Sequence, residues 1–147
     1  MKITLLCGNV GSGKSTYAFE FCRANPNTIR INADKMRYIV TGDESNMKCD
    51  GAVWASLERM AEYLLDSGFS LIIDNLNYHK KARKFWIGLA KKYFLKIDCV
   101  IINTPYDICI DRNKSRSRIV PEFVLEKVKN GWEEPTVEEG FNQILKI

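Results

Sequence analysis

Residues 8–15 read Gly-Asn-Val-Gly-Ser-Gly-Lys-Ser and follow directly on the apolar run Ile3–Cys7. The spacing G-x-x-x-x-G-K-[ST] constrains this chain more than any other feature, because it requires a strand, a tight loop and a helix in succession. In such a loop successive backbone N–H groups point inward and form an anion cradle. Gly8, Gly11 and Gly13 let backbone come close to a phosphate and turn where a side chain would obstruct it. Ser12 and Thr16 belong to the same cradle, Lys14 reaches the outer phosphates, and the Ser15 hydroxyl is a candidate ligand for Mg²⁺. The expected ligand is a nucleoside triphosphate.

The rest of the chain alternates strand and helix patterns. The loop is followed by a helix-like stretch from Tyr17 to about Ala24, closed by Asn25-Pro26. Residues 28–32 read as a short strand, and a helix starts at about Asp34, which suits an N-cap or first-turn position. Residues 42–50 form a polar loop. From Gly51, Val53, Leu57, Met60, Ala61 and Leu64 recur at helical spacing up to Ser67-Gly68. The runs 71–73 and 97–102 are continuously apolar, as strands covered on both faces are. Between them Ala82, Phe85, Trp86, Leu89 and Tyr93 line one side of another helix. Thr104-Pro105 opens a short helix, Pro121 opens one to about Asn130, and residues 141–147 read as a last strand. This order predicts an α/β fold with helices on both faces of a central, mostly parallel sheet.

Ligands of such sheets bind beyond the carboxyl ends of the strands, and three polar features fall there. Asp74 ends the run Leu71-Ile72-Ile73, either as a second carboxylate for the metal or as a turn cap. Its neighbour is Asn75 and not the acidic residue that polarises water in hydrolytic motors, which argues against simple hydrolysis. Asp34 and Arg37 share a helix face, either as a proton acceptor beside an anion grip or as a cap with a surface ion pair. Arg112, Lys114, Arg116 and Arg118 lie in a stretch without clear periodicity, either a lid over a triphosphate or a solvated basic loop.

With 46% hydrophobic and 27% charged residues the composition is that of an ordinary globular chain, and the expectation is one domain over residues 1–147. Five cysteines, one histidine and no C-x-x-C pair disfavour a disulfide framework or a zinc site and favour a cytoplasmic setting. No run approaches the ~20 apolar residues of a membrane span. The net charge of +4 is a weak sign of nucleic acid. The cluster Lys80, Lys81, Arg83, Lys84 reads first as a solvated helix face. Tyr38, Trp54 and Tyr78 are able to stack a base, although packing is the commoner use of such residues.

Taken in order, these motifs resemble the polynucleotide 5′-hydroxyl kinase family, in the form of the 5′-kinase domain of T-even bacteriophages. The likeness runs from the first residue to about 130 and rests on Gly8 to Thr16, on Asn32-x-Asp34-x-x-Arg37, and on Arg112-Asn113-x-x-Arg116 before Val120-Pro121. The spacing from Asp74 to Asn75-Leu76-Asn77 and that from the lid to Val120-Pro121 are each one residue short. The resemblance implies a P-loop kinase three-layer sandwich with an Arg-rich lid at about 111–120; the phosphatase domain of that family is not expected within these residues. It implies ATP and Mg²⁺ as cofactors and 5′-OH ends of DNA or RNA as the partner. It also implies Asp34 as general base, Arg37 on the acceptor's 3′-phosphate, Arg116 and Lys14 on the transferring phosphate, and Arg112 near the nucleotide base. Alternatives are a kinase of a small-molecule or tRNA-linked hydroxyl, and a nucleotide-dependent switch with no acceptor.

Overall fold

The three central strands carry apolar residues on both faces, so the sheet is covered by helices from both sides. The computed structural model describes residues Met1–Ile147. Five strands, β1 (Lys2–Cys7), β2 (Thr28–Ile31), β3 (Ser70–Ile73), β4 (Lys96–Ile101) and β5 (Gln143–Lys146), lie in the order β2-β3-β1-β4-β5. Every neighbouring pair is parallel. The helices are α1 (Lys14–Ala24), α2 (Ala33–Thr41), α3 (Asp50–Asp66), α4 (Lys80–Lys92), α5 (Tyr106–Lys114) and α6 (Glu122–Asn130), with 3-10 turns at Met47–Cys49 and Val137–Glu139.

The alternation of strand side chains assigns the layers. Ile3, Leu5 and Cys7 of β1, with Ile31, Leu71 and Ile73, face α3 and α4, whose Val53, Leu57, Ala61, Leu65, Trp86 and Ala90 complete the larger core. Leu6, Ile72 and Val100 face the other way, onto Ala18 and the partly buried Tyr17 and Phe21 of α1. A third cluster joins Val10 of the phosphate loop to Cys109 of α5 and Leu125 of α6. Each fully buried aliphatic or aromatic side chain contributes about 1.5–3 kcal/mol, so the two helical layers hold the sheet from both sides. No helix is long and apolar enough to cross a membrane.

Several boundaries differ from the sequence reading for local reasons. The second helix begins at Ala33 because Asn32, not Asp34, is its N-cap, accepting from the Lys35 amide at 2.9 Å. Asp34 occupies the first turn. The polar loop contains a 3-10 turn, and Asp50 already belongs to α3. The basic stretch is helical as far as Lys114, held by only two buried residues one turn apart, Cys109 and Asn113. That is too little apolar repetition to show as a period. Arg83 leaves the solvated face expected of its cluster. Lys80, Lys81 and Lys84 are exposed, whereas Arg83 lies on the inner face of α4 and is fully buried. It donates from Nε and Nη2 to Glu139 at 2.8 Å each and from Nη1 to the carbonyls of Asn77 and Glu133. It thereby ties the 133–139 segment to the sheet.

Candidate active site

Chain direction creates a crevice between β1 and β4. The chain leaving β1 goes towards β2, while the chain leaving β4 goes towards β5. Their carboxyl ends therefore diverge, as at the ligand crevice of other doubly wound sheets. The loop 8–13 fills this mouth, and α1 runs away from it. Gly13 is the N-cap of α1 at φ 101°, and Gly11 stands at φ 78° with the Cys109 carbonyl oxygen 2.5 Å from where a Cβ would sit. Neither position admits a side chain at ordinary cost. The cradle is braced from outside. Thr104 donates to the Ser12 carbonyl at 2.7 Å, and Asn9 Nδ2 donates to the Leu125 carbonyl at 3.0 Å.

Lys14 is folded under this loop, where its ammonium donates to the Asn9 carbonyl at 2.6 Å and to Ser12 Oγ at 3.3 Å. Burial pushes its pKa down to about 8 from 10.5; the charge of Arg116 acts in the same direction and that of Asp74 against it. Ser15 Oγ donates to Asp74 Oδ2 at 2.8 Å, so the hydroxyl and carboxylate expected at a metal stand together. There is no cluster of three or more His, Cys, Asp or Glu that could hold an ion alone. Two oxygen donors beside a phosphate cradle fit Mg²⁺, which keeps waters and is usually bound through one or two carboxylates plus substrate phosphates. Asp74 is also held by Arg30 of β2, whose Nε donates to Oδ2 at 2.8 Å. Nothing in the local sequence around Thr28–Ile31 signals that contact.

The start of α2 is joined to this centre by asparagines. Asn32 Nδ2 donates to the Asp74 carbonyl, and Asn75 Oδ1 accepts from the Ala33 amide at 2.9 Å. The residue after Asp74 thus anchors the start of α2. Asp34 follows, with its side chain half exposed, and Arg37 lies beneath it, nearly buried. Arg37 Nη1 donates to Asp34 Oδ1 at 2.7 Å, and its Nε donates to Asp50 at 2.8 Å. Burial alone would push the Arg37 guanidinium down, but the hydrogen bonds it donates to Asp50 and Asp34, and their charges, hold it above its ordinary value.

The arginines of the basic stretch divide between two sides. Arg112, on α5, leans over the phosphate loop, its Nη1 3.4 Å from the Ser12 carbonyl oxygen. Arg116 is exposed and close enough to Lys14 to affect its charge. Arg118, a member of the basic cluster with no separate role in the sequence reading, instead reaches Asp34 Oδ2 at 3.1 Å and Glu44 Oε2 at 3.0 Å. Asn113 closes the base of this stretch, donating from Nδ2 to the Val120 carbonyl at 2.7 Å and accepting from its amide at 3.0 Å. Thr16 lies exposed in the first turn of α1. Among the aromatics, Trp54 packs against the larger core, Tyr38 is exposed on α2, and Tyr78 meets His79 edge-on at 4.4 Å.

Comparison with known proteins agrees with this geometry. The model of a family described as AAA domain matches residues 3–135. The bifunctional polynucleotide phosphatase/kinase of Schizosaccharomyces pombe is 27% identical over 151 residues, covering 99% of this chain and 33% of that protein. Protein kti12 of the same organism is 30% identical over 148 residues, covering 92% of this chain and 52% of that protein. The chain therefore spans about a third to a half of these curated relatives. Among solved structures, a Pnkp1/Rnl/Hen1 complex contains a chain 26% identical with a TM-score of 0.70, over 82% of this chain and 40% of that one. The Mycobacterium tuberculosis APS kinase CysC in complex with AMPPNP and APS is 19% identical with a TM-score of 0.66, over 99% and 87%. That last likeness is one of fold alone. The cradle, the parallel sheet and the matched residues lead to one conclusion: the chain belongs to the AAA domain family and has the P-loop kinase fold.

Proposed function

We propose that this chain transfers the γ-phosphate of ATP to the 5′-hydroxyl end of a nucleic acid, as in the repair of DNA or RNA ends. The observation that carries the reading is the pairing of Asp34 with the nearly buried Arg37 on α2, a helix tethered through Asn32 and Asp74 to Ser15 of the phosphate loop. A nucleotide switch needs no such carboxylate and arginine beside its phosphate loop. A kinase needs a base for the attacking hydroxyl and a grip on the acceptor. The polynucleotide phosphatase/kinase relative supports the choice of acceptor.

Asp34 accepts the proton of the 5′-hydroxyl as its oxygen attacks the γ-phosphorus in line. The bond from that phosphorus to the β,γ-bridging oxygen breaks, and ADP leaves with both electrons. Lys14 and Arg116 stabilise the charge on the phosphoryl oxygens through a preorganised field, and the cradle of Gly8, Gly11, Ser12, Gly13 and Thr16 holds the phosphates. Arg112 lies over the nucleotide side, and Arg37 grips the acceptor's 3′-phosphate. Ser15 and Asp74 would hold Mg²⁺, which when bound neutralises phosphate charge.

The test offers γ-labelled ATP with 5′-hydroxyl oligonucleotides, with nucleoside 3′-phosphates and with water alone. Label on an oligonucleotide is expected. Label confined to a small hydroxyl compound or to free phosphate would replace this reading with that of a small-molecule kinase or an ATPase.

A further inference from the structure

Six charged groups meet where the lid touches α2. Arg37 is fixed from behind by Asp50 through Nε at 2.8 Å, so its Nη1 is the end presented to Asp34. Arg118 is fixed from its own side by Glu44, with Nη1 to Oε2 at 3.0 Å and Nη2 to the carbonyl at 3.3 Å, and Lys35 pairs with the same carboxylate. The Glu44 carbonyl also accepts from Arg37 Nη1 at 3.1 Å. Asp34 is the acid that both arginines share, one on each carboxylate oxygen at 2.7 and 3.1 Å. Three cations and three carboxylates balance, and Asp34, with a side-chain exposure of 50%, is the most open of the three acids.

Two guanidinium groups converging on one oxyanion make a site for a phosphate. Here a carboxylate that a kinase needs free occupies it. We propose that Arg118 and Arg37 together form a subsite for an acceptor phosphate, and that Asp34 fills this subsite until the acceptor arrives. The inference rests on the kinase reading above. The incoming phosphate takes both Nη1 groups, and the released Asp34 carboxylate turns to the hydroxyl as base. Acceptor binding thereby arms its own base. Arg118 is then the acceptor-side arm of the lid, while Arg112 and Arg116 attend the donor.

The experiment uses the full chain with a nucleoside 3′-phosphate and with the same nucleoside bearing a free 3′-hydroxyl, and reads KM for each acceptor and for ATP. Binding of the 3′-nucleotide without ATP is read by calorimetry. Arg118→Ala is expected to weaken the 3′-phosphorylated acceptor at least tenfold, the cost of a charge-assisted hydrogen bond, to move KM for the plain nucleoside far less, and to leave KM for ATP unchanged. Arg118→Lys restores part of the loss, since a point charge replaces the fork. Glu44→Gln removes the carboxylate that competes for Arg118 and is expected to shift acceptor affinity the other way, tightening it. A purely structural clasp would move both substitutions in the same direction, and that result would overturn the proposal. So would a loss of ATP affinity in Arg118→Ala with the acceptor preference intact. Failure of the wild-type chain to phosphorylate any 5′-hydroxyl would instead remove the kinase reading, and the calorimetric signs would still decide the subsite.

Discussion

Lys14 permits the sharpest test of the donor half, because its burial converts pH into nucleotide affinity. The free protein holds this ammonium at about 8. Phosphates placed beside it return the proton, so binding carries a proton with it above that pH. If only the protonated form grips the nucleotide, apparent affinity falls by a factor of one plus ten to the power of the distance above 8. At pH 9.5 this is roughly thirtyfold. The ligand does not confound the measurement above pH 8, since a terminal phosphate with its second pKa near 6 is almost fully ionised there. The assay is titration with a fluorescent ATP analogue from pH 6.5 to 9.5, on the wild type and on Lys14→Arg, whose guanidinium keeps its charge throughout. The wild type should lose affinity above pH 8, and the variant should follow a flatter line from a weaker start. Stability moves the opposite way. Between about 8 and 10.5 the unfolded chain keeps a proton that the folded chain has lost, so this residue adds stability as pH rises, up to about 3 kcal/mol in all. The thermal shift produced by nucleotide should therefore shrink across the same window. An affinity flat from pH 8 to 9.5 in the wild type would refute the reasoning.

Three substitutions probe the remaining parts. Asp34→Asn is expected to abolish phosphoryl transfer while ATP binding survives, checked by single-turnover labelling beside nucleotide titration; transfer near the wild-type rate would remove Asp34 as the base. Gly11→Ala forces a side chain into φ 78° and against the Cys109 carbonyl. With backbone strain of about 1–3 kcal/mol, ATP affinity should drop by about tenfold or more, as read by calorimetry. Glu139→Ala strips the fully buried Arg83 of its carboxylate. Breaking such a pair costs about 3–5 kcal/mol, so Tm should fall by roughly 10 °C. A change within a degree or two would mean that the 133–139 segment is held by other contacts.

What could be read along the chain was what depends on neighbours in sequence. Glycine spacing after an apolar strand specifies a phosphate loop because the turn needs positive φ within a few residues. Continuous apolar runs announce strands covered on both sides, and Asp34 and Arg37 are one helical turn apart whatever surrounds them. The basic stretch 111–118 was legible as charge but not as shape. Its first half is helical on two buried anchors, and its base is closed by the side chain of Asn113 on Val120, a pairing that needs the turn already formed.

Contacts between distant segments were decided by tertiary structure alone. Arg83 and Lys84 are adjacent and equally basic, yet the face of α4 that meets the sheet buries one and leaves the other in water. Arg30 meets Asp74 only because β2 and β3 are neighbours in register. Arg118 meets Asp34 across 84 residues only because the segment after α5 passes over α2. Sequence determined the phosphate loop, since consecutive residues build it. The cluster of Asp34, Arg37 and Arg118 needed the fold, because long side chains on separate elements share one carboxylate and their meeting depends on packing far from either.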